Sequence, residues 1–321
     1  MSTPQLVDFK IPREGKFSYN FDVNRPMNSP FRYAGGKFYA RKLIMQYIPD
    51  HSGYIEPFAG GASIFFAQPK AEFNWLNDID PELMNCLTQI RDHAEALVSL
   101  IKDEVASKER HSFYKNEFRP KNKLERALRW YYINRTSYSG IMKMQNCYWG
   151  YGDKYSKRPE NWPKTIFEAS IKLQGVKLTT YDFWDVISAV PAESFLFIDP
   201  PYFNADQDKF YPFSFNHHDH FRLAEVLQAN AHKLSFLLTY DNSQEVRELY
   251  KWCPTILEKE WNYTINRTDD QTKDGRNGGN DKRRARYKGK EIFIMNYIPK
   301  IPEQRSLYDI SSQLRPLTTQ N

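Results

Sequence analysis

Phe195-Leu196-Phe197-Ile198-Asp199-Pro200-Pro201-Tyr202 is the stretch on which the fold turns. Its first four residues are apolar and strand-forming with no polar face, which predicts a parallel strand buried on both sides. Two prolines follow; neither can donate a backbone N–H to a ladder, so the strand stops there. An acid and a ring are thereby presented at the carboxyl end of a central strand, the edge where open α/β sheets bind ligands.

Upstream, Tyr54-Ile55-Glu56-Pro57-Phe58-Ala59-Gly60-Gly61-Ala62-Ser63 runs from a short strand into small residues and then the apolar helix start Ile64-Phe65-Phe66. That is the first strand–turn–helix of a doubly wound nucleotide-binding fold. It is not G-x-G-x-x-G, so a dinucleotide oxidoreductase gains no support. Before it, Phe31-Arg32-Tyr33-Ala34-Gly35-Gly36-Lys37 places a glycine pair ahead of a helical stretch, Phe38 to Tyr47, a setting that lets backbone approach a ligand. Phe73 to Leu76 predict the next strand, ending in Asn77-Asp78-Ile79-Asp80. Asp78 is placed to accept from two ribose hydroxyls, and Asp80, before Pro81, to cap a helix. Val176 to Tyr181 predict a further strand; beyond it Asp182 suits either an adenine amino group, with Phe183 packed on the ring, or a helix cap.

Between these strands, one helix is expected from Glu82 to Val105 and another from Lys121 to Ile133. Asn134 to Tyr155 then mixes rings, amides, bases and glycines, a composition poor for a core. It suits a hairpin or loop that contacts nucleobases through Asn134, Arg135, Tyr138, Ser139 and Lys143; a surface hairpin with no ligand fits equally well. After Tyr202 come a polar and aromatic loop, Phe203 to Phe215, and His217, His218 and His220 ahead of a helix from Phe221 to Ala231. The histidine spacing is wrong for a helical metal pair, and a helix N-terminus is the better reading. Leu234 to Tyr240 predict a buried strand, with Asp241-Asn242-Ser243 capping a helix from Gln244 to Lys251. Ile256 to Ile265 and Glu291 to Tyr297 predict a closing strand pair. Between them, Arg267 to Lys290 form a flexible basic loop whose Arg267, Lys282, Arg283, Arg284 and Arg286 suit phosphates.

The 321 residues fit one large α/β domain with a smaller insertion, and a 40% hydrophobic share supplies a core. A net charge of +6 favours a polyanionic partner only weakly. Cys86, Cys147 and Cys253 form no CxxC pair, which argues against a disulfide scaffold or a cysteine zinc site. With no apolar leader core or long uncharged apolar run, the expectation is a soluble, cytoplasmic protein without a membrane partner.

In their order, the motifs Phe31–Lys37, Glu56–Ser63, Asn77-Asp78-Ile79 and Asp199–Tyr202 resemble the Dam-type (D12 class) DNA adenine N6-methyltransferases, over about Phe31 to Pro299. The resemblance implies a doubly wound, seven-stranded S-adenosylmethionine-dependent methyltransferase sheet with a small helical or hairpin DNA-recognition insertion. The polar, proline-punctuated residues 1–28 read as an arm and the aperiodic residues 301–321 as a loose tail, leaving a catalytic domain from 29–105 and 174–300 and an insertion at 106–173. Residue by residue, Tyr33, Gly35, Gly36 and Lys37 would meet the cofactor's methionine end, with Glu56, Phe58 and Gly60 close by. Asp78 would take the ribose, and Asp182 and Phe183 the cofactor adenine. Asp199, Pro200 and Tyr202 would act on an adenine flipped out of double-stranded DNA. No metal is required. A cognate restriction endonuclease and a monomer or weak dimer complete the expectation. The segment after Arg135 departs from the GATC-reading members, so that site is not carried over. RNA or another amino group as substrate, and a DNA-binding protein without catalysis, are the competing readings.

Overall fold

Ser194–Ile198, the strand before the two prolines, is buried at every residue in the middle of a seven-stranded sheet. The computed structural model describes residues 22, 24–33, 36–152, 156–203, 213–262 and 288–300. In chain order the elements are α1 (Arg41–Ile44), β1 (Gly53–Glu56), α2 (Ser63–Ala67), β2 (Phe73–Asn77), α3 (Pro81–Asp92), α4 (Ala94–Ile101), α5 (Lys108–Ser112), α6 (Lys123–Thr136) and α7 (Trp162–Leu173). They continue with β3 (Lys177–Thr179), α8 (Phe183–Ser188), β4 (Ser194–Ile198), α9 (His217–Asn230), β5 (Leu234–Asp241), α10 (Gln244–Leu249), β6 (Thr255–Asn262) and β7 (Lys288–Met295).

The strand order is β3-β2-β1-β4-β5-β7-β6. β1 lies parallel to β2 and β4, and β4 parallel to β5, while β7 runs antiparallel to β5 and β6. The chain moves outward from β1 to β3 and then returns to lay β4 beside β1. That reversal leaves a crevice at the carboxyl ends of β1 and β4, where no crossover covers the sheet.

Alternation along the strands feeds two cores. Tyr54, Phe195 and Phe197 point into a cluster with α2, α3, α4, α6 and α7. Ile55, Leu196 and Ile198 point the other way, against α8, α9 and α10. Both faces of the central strands are therefore apolar, which is why Phe195–Ile198 carries no polar residue.

The expected single helix from Glu82 to Val105 is two. His93, at φ −137° and ψ 36°, leaves helical geometry and separates α3 from α4. The turn brings Leu97, Val98 and Ile101 back into the core that Leu83, Leu87 and Ile90 already occupy. The helix expected from Phe38 to Tyr47 is reduced to α1, and that expected from Phe221 starts earlier, at His217. There Asn216 accepts from His218 and Asp219 N–H groups while Asp219 returns a bond, a complete capping box. Among the described residues, no helix is long and apolar enough to cross a membrane.

Candidate active site

The crevice above β1, β2 and β4 encloses about 800 Å³, its open mouth included. Tyr33, Gly36, Lys37, Glu56, Phe58, Gly60, Asp78, Asp199 and Pro201 line it, with Asp80, Phe197, Phe213 and Phe215. Motifs far apart in sequence thus share one cavity. Gly35 lies outside the described residues.

The glycine loop is shaped by a ring. Gly60 sits at φ +46°, and a Cβ there would lie 2.9 Å from a ring carbon of Tyr33. Only glycine meets both demands. Two of the loop's N–H groups are already used: Ala59 donates to the Asn77 carbonyl (2.8 Å) and Gly60 to the Asp78 carboxylate (2.8 Å). Those two amides are spent within the fold rather than offered to a phosphate. Asn77 locks the neighbouring strand ends together. Its amide donates to Pro57 O (3.0 Å) and Tyr181 O (2.9 Å), and its carbonyl accepts from Thr179 Oγ1 (2.7 Å) and Tyr181 N–H (2.8 Å).

The charges are unusual. Glu56 is buried, accepting from Tyr54 Oη (2.7 Å) and Phe65 N–H (2.8 Å), and burial pushes its carboxyl up to about 8. Burial likewise pushes Asp78 up to about 6 against the pull of the Asp80 and Gly60 amides. Asp80 caps α3 through the Glu82 and Leu83 N–H groups, as expected. Lys37 is the one basic side chain among the described lining residues. It is buried, with Nζ 2.6 and 2.8 Å from the two oxygens of Asp199. Thr239 Oγ1 donates to the same carboxylate at 2.7 Å. Tyr202 lies beside this pair, with Lys37 Nζ 5.0 Å from its ring centroid.

Asp182 and Phe183 do not line the cavity. The Asp182 carboxylate caps α8 through Trp184 N–H (2.8 Å) and pairs with Arg222 (2.9 Å), so the cap reading describes its contacts. Phe183 stacks behind Phe58, with centroids 5.4 Å apart. Phe203, the residue after Tyr202, packs on His217 and His220. Among the described residues no His, Cys, Asp and Glu cluster could hold a metal ion.

The segment from Asn134 onward, expected to be poor core, is partly core. Asn134 is fully buried; it accepts from Arg32 N–H (2.9 Å) and donates to Arg32 O (2.7 Å). Arg135, also buried, points a guanidinium N–H at Pro30 O (3.4 Å). In these contacts both side chains act as struts that fix the Pro30–Arg32 strap. Tyr138 is exposed, Ser139 and Lys143 half-buried. Arg267, Lys282, Arg283, Arg284 and Arg286 lie outside the described residues.

Two positions beside the site were not singled out in the sequence: Thr239, a strand former within a mostly apolar strand, and Glu291, just before the apolar run Ile292–Met295. Asn77, part of the Asn77-Asp78-Ile79 motif, shows its locking role only through its partners across the fold.

The family model for the D12 class N6 adenine-specific DNA methyltransferases matches residues 33–265. The DNA N-6-adenine-methyltransferase of Escherichia phage P1 is 30% identical over 69% of this chain, a match spanning 31% of that protein's length. The type II methyltransferase M.CviBI of Paramecium bursaria Chlorella virus NC1A is 28% identical over 73% of this chain and 91% of its own. The DNA adenine methylase of Vibrio cholerae is 23% identical over 77% of this chain. With its motifs gathered at one switch-point crevice and more than half its length matched, the chain belongs to the D12 class N6 adenine-specific DNA methyltransferase family.

Proposed function

We propose that the protein transfers a methyl group from S-adenosylmethionine to the N6 amino group of an adenine flipped out of duplex DNA. The observation that carries this is the acid-lined crevice with Asp199 and Pro201 of the Asp199-Pro200-Pro201-Tyr202 turn in its wall. Carboxylates of Asp78, Asp80 and Asp199 against a single lysine repel a pyrophosphate and suit a cation bearing hydroxyls. A sulfonium nucleoside has that chemistry. Tyr33, Gly36, Lys37, Glu56, Phe58 and Gly60 would hold its amino-acid end and Asp78 its ribose. When bound, the cofactor supplies a methyl group already activated by the sulfonium, so the protein's task is to orient the acceptor.

An adenine amino group is a poor nucleophile because its lone pair is delocalised into the ring. Asp199 and the Pro200 carbonyl would each accept one N6–H, favouring a pyramidal nitrogen, and Tyr202 would stack on the base. The insertion at 106–173 would meet DNA through its exposed Tyr138 and nearby Ser139 and Lys143, with phosphates taken by basic residues of 267–290. The type II naming of M.CviBI supports a modification role beside a cognate restriction endonuclease.

Modification-sensitive sequencing of plasmid DNA from a methylation-free host tests the reading, with Asp199→Ala as control. N6-methyladenine in one short motif, absent in the control, is the expected result. Unmarked DNA beside intact cofactor binding would move the substrate to RNA or another amino group.

A further inference from the structure

Lys37 stands between two carboxyls and uses one of them. Its Nζ is 2.6 Å from Asp199 Oδ1 but 3.9 Å from Glu291 Oε2. Glu291, on β7 opposite Asp241 of β5 and Lys259 of β6, lies behind the cavity wall and is 2% exposed. Both of its oxygens are sealed from solvent and short of full hydrogen-bonding geometry, with the Tyr202 hydroxyl and the Lys37 ammonium the donors that reach toward them. A buried carboxyl in that state is costly, and such expense concentrates at functional sites.

Asp199, in contrast, is over-subscribed. Oδ1 accepts from both Lys37 and Thr239, and Oδ2 from Lys37. A carboxylate neutralised by an ammonium at this range is a weak acceptor for an adenine N6–H and a weak counter-ion for a sulfonium. Both tasks fall to it under the proposed function, and the role of Glu291 rests on that function.

We propose that Glu291 is the second seat of Lys37: when a cationic ligand engages Asp199, the lysine turns to Glu291, which gives up a proton. The ligand brings one positive charge and Glu291 releases one H⁺ to solvent, so the buried cluster keeps its net charge while Asp199 is freed toward the cleft. A neutral ligand in the same place leaves the lysine on Asp199 and Glu291 protonated. Glu291 acts through Lys37 and is a positioning residue.

The surroundings agree. Burial is the largest influence on Glu291 and raises its carboxyl to about 8; Lys37 and the Tyr202 hydroxyl pull it down, and Asp199 and Asp241 push it up. The group is therefore mainly protonated at neutral pH and poised for a nearby cation to ionise it. Lys259, opposite it in register, approaches the Tyr47 ring at 4.9 Å.

Calorimetric titration of the protein with S-adenosylmethionine and with S-adenosylhomocysteine, in two buffers of different ionisation enthalpy at neutral pH, reads the proton directly. Close to one proton released with the sulfonium and almost none with the neutral thioether is expected. Glu291→Gln should abolish the release and weaken the sulfonium about tenfold, the equivalent of one pKa unit, while leaving the thioether within about twofold. Glu291→Asp should restore part of the release, which a merely structural role would not. A wild-type enthalpy independent of buffer overturns the proposal, as does release that survives in Glu291→Gln, which would point to Glu56. Absence of any binding with either compound overturns the cofactor reading and this proposal with it; binding without the proton overturns this proposal alone.

Discussion

The crevice and the end of α6 contain the same kinds of polar side chain and use them in opposite directions. At the strand ends, Glu56, Asp78 and Asp199 line an open cavity, and burial holds the first two well above their ordinary range. Asn134 and Arg135 turn inward from the last turn of α6 and tie down the strap before Tyr33. A residue just past the carboxyl end of a parallel strand faces the gap between helical layers. A residue on the packed face of a helix faces core. Residue type alone does not distinguish the two; the element that carries the residue does.

Asp199→Ala should break the crevice side of this contrast outright. Loss of the preorganised acceptor is expected to lower methyl transfer by at least about two orders of magnitude, with the fold retained by circular dichroism. A variant of near-normal rate would remove Asp199 from the chemistry.

Asn134→Ala tests the α6 side. It deletes two bonds to the Arg32 backbone, so a stability loss of about 2–3 kcal/mol is expected in denaturant titration. Weakened cofactor binding should accompany it, because the Tyr33–Lys37 segment follows directly. Weaker DNA binding with unchanged stability would instead return Asn134 to base contact.

The pH dependence sharpens the crevice side further. Glu56 in the folded protein titrates at about 8 against an ordinary 4.5, so the folded state holds a proton that the unfolded chain releases. Its contribution to stability is complete below about 4.5 and is lost as pH rises through about 8. Comparing wild type with Glu56→Gln should show the wild type losing stability relative to the variant over that window, by at most about 1.4 kcal/mol per pH unit. A constant difference would mean that Glu56 is ionised throughout.

Asp182→Ala carries the smallest expected effect. Loss of the α8 cap should cost about 1 kcal/mol, and the half-exposed pair with Arg222 less than that. If Asp182 also accepts from the cofactor adenine, Kd for S-adenosylmethionine rises as well; an unchanged Kd leaves it a cap.

Much of the architecture is legible in the sequence. The strand at Phe195–Ile198 is visible because burial on both faces demands an unbroken apolar run, and those at Tyr54–Glu56 and Phe73–Leu76 because short runs of strand formers end in turn residues. The Asp80 cap is visible because Asp-Pro before a helix has a local mechanism. The break at His93 is not, since the apolar stripe continues across it at helical spacing and only packing against α6 and α7 turns the chain. The inward turn of Asn134 is not, because its partner Arg32 lies far away in sequence.

By itself, the sequence determined where the strands end and which motifs come after them, because those choices rest on local forces: proline's missing N–H, glycine's access to positive φ, and the apolar runs of strands buried on both faces. Tertiary structure alone decided which polar groups became partners. Lys37 between Asp199 and Glu291, Thr239 beneath Asp199 and Asn134 on Arg32 are all encounters across the fold. Their strengths depend on distance and on exclusion of water, and neither is written at any single position of the chain.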